Sequence, residues 1–498
     1  MVPRTNRHVE LPALNPALTT PLFQQVYERL RRAILTGQLP RGTRLPSTRA
    51  LARELGVARI TIQAAFDQLI AEGYIQGVIG SGTYVAPELP EEAIFTDSAP
   101  MPAQPARGRR TLSARGIELA GAPYLPPPLI TPEHGLQYAF RVGLPALDAF
   151  PFALWGRLRA QCWQQVGRET LSYQHPLGAW PLRAAIAAYL GPARGVHCTP
   201  EQVIIVAGAQ QGIDLVARVL LDPGDMVWLE DPGYLGARGA LLAAGARVIP
   251  VPVDAEGLQV QAGHARAPEA RLAFVTPSHQ FPLGVTMSLA RRLALLKWAS
   301  AADAWVLEDD YDSEYRYTGR PLTALQGLDA VGRVIYLGTF SKTLAPALRL
   351  GYLVVPNDLV EAFTRARLFT DLHPPILEQH VLATFINDEH YARHIRAMRV
   401  LYAKRQQALL AALSAAGLGA ALETPEVPAG LHLVSWLAAN RDDQALARHA
   451  ARLGVDVMAL SRFAIQPLER PGLLLGFGAV TPDELPRSVQ RLAAALQV

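Results

Sequence analysis

RVIYLGTFSKTLAPALRLGYLVV (333–355) decides the reading of this 498-residue chain. Two apolar runs, RVIYLG and GYLVV, flank a polar loop that carries a lysine. Lysine is scarce here, with only Lys297, Lys342 and Lys404 against 44 arginines. Lys297, in RRLALLKWASA, and Lys404, in LYAKRQQAL, fall within amphipathic helical patterns, where a solvated ammonium is the ordinary outcome. Lys342 instead follows a strand, at the carboxyl end where open α/β sheets bind their ligands.

Working outward, further apolar runs begin at QVIIVA (202), MVWLED (226), RVIPVPV (247), LAFVTP (272) and AWVLED (304). Continuous apolar strands alternating with helical patterns imply an α/β fold with a mainly parallel sheet covered on both faces. From about residue 376 a long helix, Glu378 to about Leu413, and the weaker strands LHLVSWL and LLLGFG predict a smaller α+β lobe. The unit is therefore expected over 133–498, with a large part to about 375 and a small lobe beyond it.

Chemistry-bearing residues gather around the same sheet end. In AWVLEDDYDSEY, Asp309 and Tyr311 are two apart, so extended backbone projects both to one side. That supplies a carboxylate for a pyridinium nitrogen and a phenol for a ring oxygen, the set that an aldehyde cofactor on Lys342 needs. Arg349 and the amides of Ala209 and Gln210, at the AGAQQG turn, can hold a phosphate. Tyr234, in EDPGYLG, can cover a ring face.

Residues 20–87 have a different character. PLFQQVYERLRRAILTGQL places Leu22, Val26, Leu30 and Ile34 on one helical face, and Gly37 with Pro40 ends it. Ser47 is an N-cap for a short helix ending at Gly56, and ARITIQAAFDQLIAEG predicts a second helix ending at Gly73. Ile60, Ile62, Ala65, Phe66 and Leu69 are expected on its buried side. YIQGVIGSGTYV then gives two short strands about a Gly-rich tip. The arrangement is a helix-turn-helix with a wing. Residues 1–90 hold ten Arg, no Lys and six acidic side chains, so the whole formal surplus of +4 is N-terminal, as phosphate-backbone binding requires. Between the two units, residues 88–132 carry Pro100, Pro102, Pro105, the run Pro126 to Pro128, and Arg107, Arg109 and Arg110, which predicts an extended linker.

The N-terminal pattern, Leu-Pro-Ser followed by Arg49, then Arg59-x-Thr61 and a closing Gly-x-Gly82-Thr83, resembles the GntR family of winged-helix regulators over residues 20–86. The resemblance implies that Arg49, Arg59 and Thr61 face DNA, with Gly82 and Thr83 in the wing; Ala58 stands where Ser is usual. The later motifs resemble fold-type I pyridoxal-phosphate proteins of the aspartate aminotransferase superfamily. With PSHQFPLG, EDDYDSEYRY and GTFSKTLAPALRLGY, nearly the whole chain resembles the MocR and GabR subfamily. That implies a Schiff base between pyridoxal 5'-phosphate and Lys342, with Asp309 on the pyridine nitrogen, Tyr311 on the phenolic oxygen and Tyr234 stacked on the ring. Arg349, Ser341 and the amides of Ala209 and Gln210 would bind phosphate, and Tyr173, in SYQHPLG, would reach the neighbouring subunit's cofactor in a homodimer.

Two departures bear on activity. Phe281 stands where aminotransferases carry the Asn that bonds the ring oxygen, leaving Gln280 or His279 to supply that bond. GLLLGFG has leucines where a substrate-carboxylate Arg would stand, leaving Arg462 or Arg470 as substitutes. The expected function is a double-stranded-DNA-binding regulator sensing an amine, an amino acid or the cofactor; the alternative is a working aminotransferase with an accessory DNA-binding domain, and whether transamination turns over stays open. No run reaches eighteen apolar residues, no apolar signal segment opens the chain, and there are only two cysteines, Cys162 and Cys198. Together these predict a cytoplasmic protein with no membrane span and no disulfide framework. No metal is expected.

Overall fold

The computed structural model describes residues 14, 20–78, 80–89, 112–121, 139–319 and 322–497. The chain divides into two compact units, Met1–Thr111 and Leu112–Val498.

The first unit holds α1 (Leu22–Leu35), α2 (Thr48–Leu55), α3 (Arg59–Ala71), β1 (Ile75–Val78) and β2 (Gly82–Val85). Ser47 Oγ accepts from the Ala50 amide at 3.2 Å and caps α2, which Gly56 ends at φ 66°. Val26, Leu30 and Ile34 of α1 share one core with Leu51, Phe66 and Leu69. The wing strands pair antiparallel from Ile75↔Val85 to Val78↔Gly82. Beside them the Leu45 amide donates to Thr83 O at 2.8 Å. One expectation fails: Ile60 is 77 % exposed, while Ile62, Ala65, Phe66 and Leu69 are buried. Ile60 precedes Ile62 by two residues, about 200° around the helix, so it lies opposite the stripe that begins there.

Most of the expected linker, including Pro100, Pro102, Pro105, Pro126 to Pro128, Arg107, Arg109 and Arg110, lies outside the described residues. Within the described part, residues 114–121 are not extended. They form helix α4 (Ala114–Gly121), and the Arg115 guanidinium donates to Ala244 O at 2.9 Å.

The second unit is built on β3 (Val203–Val206), β4 (Met226–Asp231), β5 (Arg247–Asp254), β6 (Gly257–Leu258), β7 (Leu272–Val275), β8 (Trp305–Asp310), β9 (Val334–Thr339) and β10 (Gly351–Val354). Their order is β3-β10-β9-β8-β7-β4-β5-β6, and β5, β4, β7, β8 and β9 run parallel. β10 runs against both of its neighbours. Alternation explains the two-sided burial. Val203 and Ile205 enter one core with Tyr336 and Tyr352, whereas Ile204 and Val206 enter another with Ile335, Leu337 and Leu353. β5 tolerates Pro250 and Pro252 because only one side of it pairs along its length, and two prolines two apart turn their missing donors the same way.

Helices α5 (Ala209–Leu220) and α6 (Leu235–Ala243) follow β3 and β4. The long helix expected from Glu378 is two helices, α7 (Leu377–Asn387) and α8 (His390–Ala415). Glu389 at φ 60° breaks the ladder between them; no Gly or Pro marks the spot. The small lobe carries α9 (Asp443–Arg452) and a sheet of β11 (His432–Trp436), β12 (Met458–Ala459) and β13 (Gly472–Gly476), in the order β11-β13-β12. Among the described residues no helix is long and apolar enough to cross a membrane.

Candidate functional site

A cavity of about 610 Å³ opens at the carboxyl ends of the central strands. Asp309 comes from the end of β8, Ser341 and Lys342 from the loop after β9, and Tyr234 from the turn after β4. Gly208, Ala209 and Gln210 form the start of α5. All of these residues line the cavity, as do Tyr311 and Arg349. Each lies at the end of a strand or in a loop beside one, which is why the sheet's direction suffices to bring them together.

Lys342 is half-buried, and its Nζ donates to Gly143 O at 2.8 Å. Burial holds its pKa below the ordinary lysine value, against the opposing pull of Asp312 and Asp309. Gly143 has φ 82°, and a Cβ there would lie 2.9 Å from Nζ, so both the turn and the lysine's approach require glycine. Asp309 is 5 % exposed, and its Oδ1 has no hydrogen-bond partner among the described residues. Burial first, and then Asp310, push its carboxyl up to about 8. Asp310 is ion-paired through Oδ2, which accepts from Arg194 at 2.8 Å and the Tyr336 hydroxyl at 2.6 Å; its Oδ1 has no hydrogen-bond partner among the described residues.

Tyr311 lies 2.9 Å from His279 Nδ1, which is also 3.1 Å from both Asp312 oxygens. Burial, then Asp312, raise the Tyr311 phenol well above its ordinary pKa, so it stays protonated. Gln280 is engaged elsewhere: its Nε2 donates to Glu230 Oε2, Pro232 O and Phe281 O, and its Oε1 accepts from the Leu283 amide. It does not line the cavity. Phe281 does, edge-on to Tyr234 and Tyr311 at 6.0 Å each. Glu230 beneath it accepts from the Thr276 amide and hydroxyl at 3.2 and 2.6 Å, and burial raises it to about 7.

At the other end, Arg349 has φ 53° and turns back toward α5. A Cβ on Gly208 would meet its guanidinium at 3.5 Å. The first-turn amides of α5 have no partners within the helix, so an anion here would meet N–H groups, the positive end of the helix dipole and a guanidinium together.

Some expected residues are elsewhere. Tyr173 is 82 % exposed, edge-on to His373 at 6.2 Å, and does not line the cavity of its own chain. Arg470 turns away: its Nη1 donates to Glu423 at 2.7 Å and its guanidinium stacks on Trp436. Arg462 lines the rim and is exposed. Leu474 of β13 packs with Leu235, Val434, Leu460 and Phe463, so apolar contacts fill the middle of the last strand. Sequence reasoning missed Arg141, Asp456, His432 and Arg448, all of which line the cavity. In the first unit, Arg49, Arg59 and Gly82 are exposed and Thr61 and Thr83 half-buried. Arg59 Nε lies 3.4 Å from Thr48 Oγ1, so the starts of α2 and α3 meet there. Arg44, also missed, lies over Gly82, where a Cβ would meet its Nε at 2.9 Å.

Comparison with known proteins places both units. The family described as "Aminotransferase class I and II" matches residues 154–492, and "Bacterial regulatory proteins, gntR family" matches residues 22–85. The chain is 42 % identical over 475 residues to the probable rhizopine catabolism regulatory protein MocR of Rhizobium meliloti, covering 95 % of this chain and 94 % of that protein. It is 34 % identical over 491 residues to the uncharacterized HTH-type transcriptional regulator YdeL of Bacillus subtilis, covering 98 % and 99 %. Among solved structures, the kynurenine aminotransferase of Pyrococcus horikoshii in complex with PMP matches at a TM-score of 0.66 and 30 % identity, over 72 % of this chain and 90 % of that one.

Proposed function

Because this chain belongs to the MocR-type HTH transcriptional regulators, in which a GntR-family domain precedes an aminotransferase class I and II domain, we propose that it binds pyridoxal 5'-phosphate at Lys342 and regulates transcription in response to an amine, an amino acid or the cofactor itself. The observation that carries the cofactor is Asp309: a buried carboxyl with an unpartnered Oδ1, in the same cavity as the Lys342 amine. An isolated buried acid is costly, and a protonated ring nitrogen is the partner that relieves it. When bound, the cofactor supplies a reversible covalent link to amines and an electron sink.

The chain's own residues have separable tasks in this reading. Arg349, Ser341 and the amides of Ala209 and Gln210 would hold the phosphate, Asp309 would accept from the ring nitrogen, and Tyr234 would cover the ring. With the His279 Nδ1 proton held by Asp312, Tyr311 keeps its own proton to donate to the ring oxygen. Thus His279 works through Tyr311 where Phe281 has replaced the usual donor. The two subunits of a homodimer would exchange Tyr173. Arg59, Thr61 and Arg49, with Gly82 and Thr83 of the wing, face double-stranded DNA in the cytoplasm.

The test is a visible absorption spectrum of purified protein with added pyridoxal phosphate, beside Lys342→Ala, followed by mobility shift on the chain's own upstream DNA. A lysine-dependent band and retarded DNA are expected. If Lys342→Ala keeps the band, the cofactor assignment is refuted.

A further inference from the structure

β13 ends at Gly476, and the segment entering the second unit closes on that end. The Gly476 amide donates to Phe140 O at 2.8 Å, and a Cβ on Gly476 would lie 2.1 Å from Arg141 O. Phe140 has φ 69°, and this sharp turn in a buried non-glycine residue is fixed by the bridge to Gly476. The result places Arg141 in the cavity, two residues before the Gly143 carbonyl that receives Lys342 Nζ. Its side chain is 15 % exposed, and Nη1 meets Asp456 Oδ2 at 3.4 Å.

The charges left over define the ligand. Arg349 is assigned to phosphate, Asp309 to the ring nitrogen and Lys342 to the covalent link, while Asp312 holds His279. Among the described residues, what remains on the cavity wall is Arg141, Arg448 and Arg462 against Asp456. Three guanidinium groups facing one carboxylate favour an anion, and of the three only Arg141 is largely enclosed.

Resting on the cofactor reading above, we infer that Arg141 binds the carboxylate of the effector, replacing the arginine absent from β13, and that the effector is an amino acid rather than a simple amine. The amine end would take the place of Lys342 on the cofactor's aldehyde carbon, releasing the lysine amine, and the acid end goes to Arg141, on a backbone segment that docks on the last strand instead of on the strand itself. Asp456 is a positioning residue that steadies the guanidinium. Arg448 and Arg462, at the rim, draw anions in without fixing their orientation.

The experiment titrates the cofactor-loaded full chain with matched pairs, each amino acid beside the amine it would become on losing its carboxylate: alanine and ethylamine, 4-aminobutyrate and propylamine. The readouts are the visible spectrum and thermal midpoint. Succinate, which cannot link to an aldehyde, probes the acid site alone. In the wild-type protein at least one amino acid should bind about ten- to a hundredfold more tightly than its amine. Arg141→Gln should abolish that preference and the protection by succinate while keeping the lysine-dependent band. Arg141→Lys, which keeps the charge but not the planar fork, should fall between. Equal binding of acid and amine by the wild-type protein, or an unchanged preference in Arg141→Gln, overturns the inference. Absence of the band from wild type would instead refute the cofactor reading, and succinate protection lost in Arg141→Gln would still support the acid site.

Discussion

Replacing Asp309 with Asn should stabilise the cofactor-free protein, although it removes a residue proposed to hold the cofactor. The carboxyl is pushed from 3.8 to about 8. Its folded-state pKa lies above the unfolded one, so the folded state binds more protons throughout the window between those values. Stability therefore falls as pH rises through that window. At about 1.4 kcal/mol for each pH unit, the loss accumulated from pH 4 to pH 7 is about 4 kcal/mol. Asn has the same shape and no charge to bury, so the variant should escape that loss. Glu230, Glu308 and Glu314 are each raised to about 7 by burial and slope the same way, but they do so in both proteins and cancel in the comparison.

The assay is urea unfolding of cofactor-free protein from pH 5 to 8, followed by tryptophan fluorescence. All seven tryptophans, from Trp155 to Trp436, lie in the second unit, so the signal reports on it alone. The variant should unfold at higher urea than wild type at pH 8 and at the same concentration near pH 5 or slightly above it. Loading wild type with pyridoxal phosphate should flatten its pH dependence, because the carboxylate then has a cationic partner. Coincident midpoints for the two cofactor-free proteins at pH 8 would refute the claim that Asp309 is an uncompensated buried acid.

Two further outcomes concern the DNA-binding unit. Arg59→Ala should cost about 1–3 kcal/mol of operator binding while leaving binding to unrelated DNA less affected, measured by competition at fixed salt. Ala58 caps α3 with no side-chain hydrogen bond, yet its φ −64° and ψ 144° suit a capping serine. Ala58→Ser should therefore stabilise the first turn by about 1 kcal/mol, seen as roughly fivefold slower amide exchange at Ile60 and Thr61.

The contrast between residues that could be read from sequence and those that could not follows from how each reaches the site. Lys342, Asp309, Tyr234 and Ala209 lie just beyond, or at the end of, strands whose direction is written in their apolar runs, so adjacency in sequence already implies a shared sheet end. Arg141 belongs to no periodic element. Its position depends on a bridge to Gly476 and a contact with Asp456, 315 residues away, and no local pattern encodes either. Arg470 misleads for the opposite reason: it stands next to β13 in sequence, but Trp436 and Glu423 hold its side chain on another face. Ile60 and the break at Glu389 are errors of phase, where one helical residue fell on the wrong side and one left-handed residue had no glycine to announce it.

The magnitudes also say what kind of ligand can work as a signal. Moving a two-state protein from 1:99 to 99:1 takes about 5.5 kcal/mol of differential binding. One charge-assisted hydrogen-bond set at Arg141 supplies about 1.5–3 kcal/mol, enough to bring such a protein to roughly even populations at best. Succinate should therefore bind without switching. A simple amine can displace Lys342 from the cofactor but leaves Arg141 with Asp456, so it too lacks one of the two contributions. A ligand with both groups draws on the covalent link and the ion pair together. The DNA affinity of the full chain should then respond to an amino acid at concentrations where its matched amine and succinate, alone or mixed, leave it unchanged. An equal response to the mixture would show that the two groups need not be on one molecule.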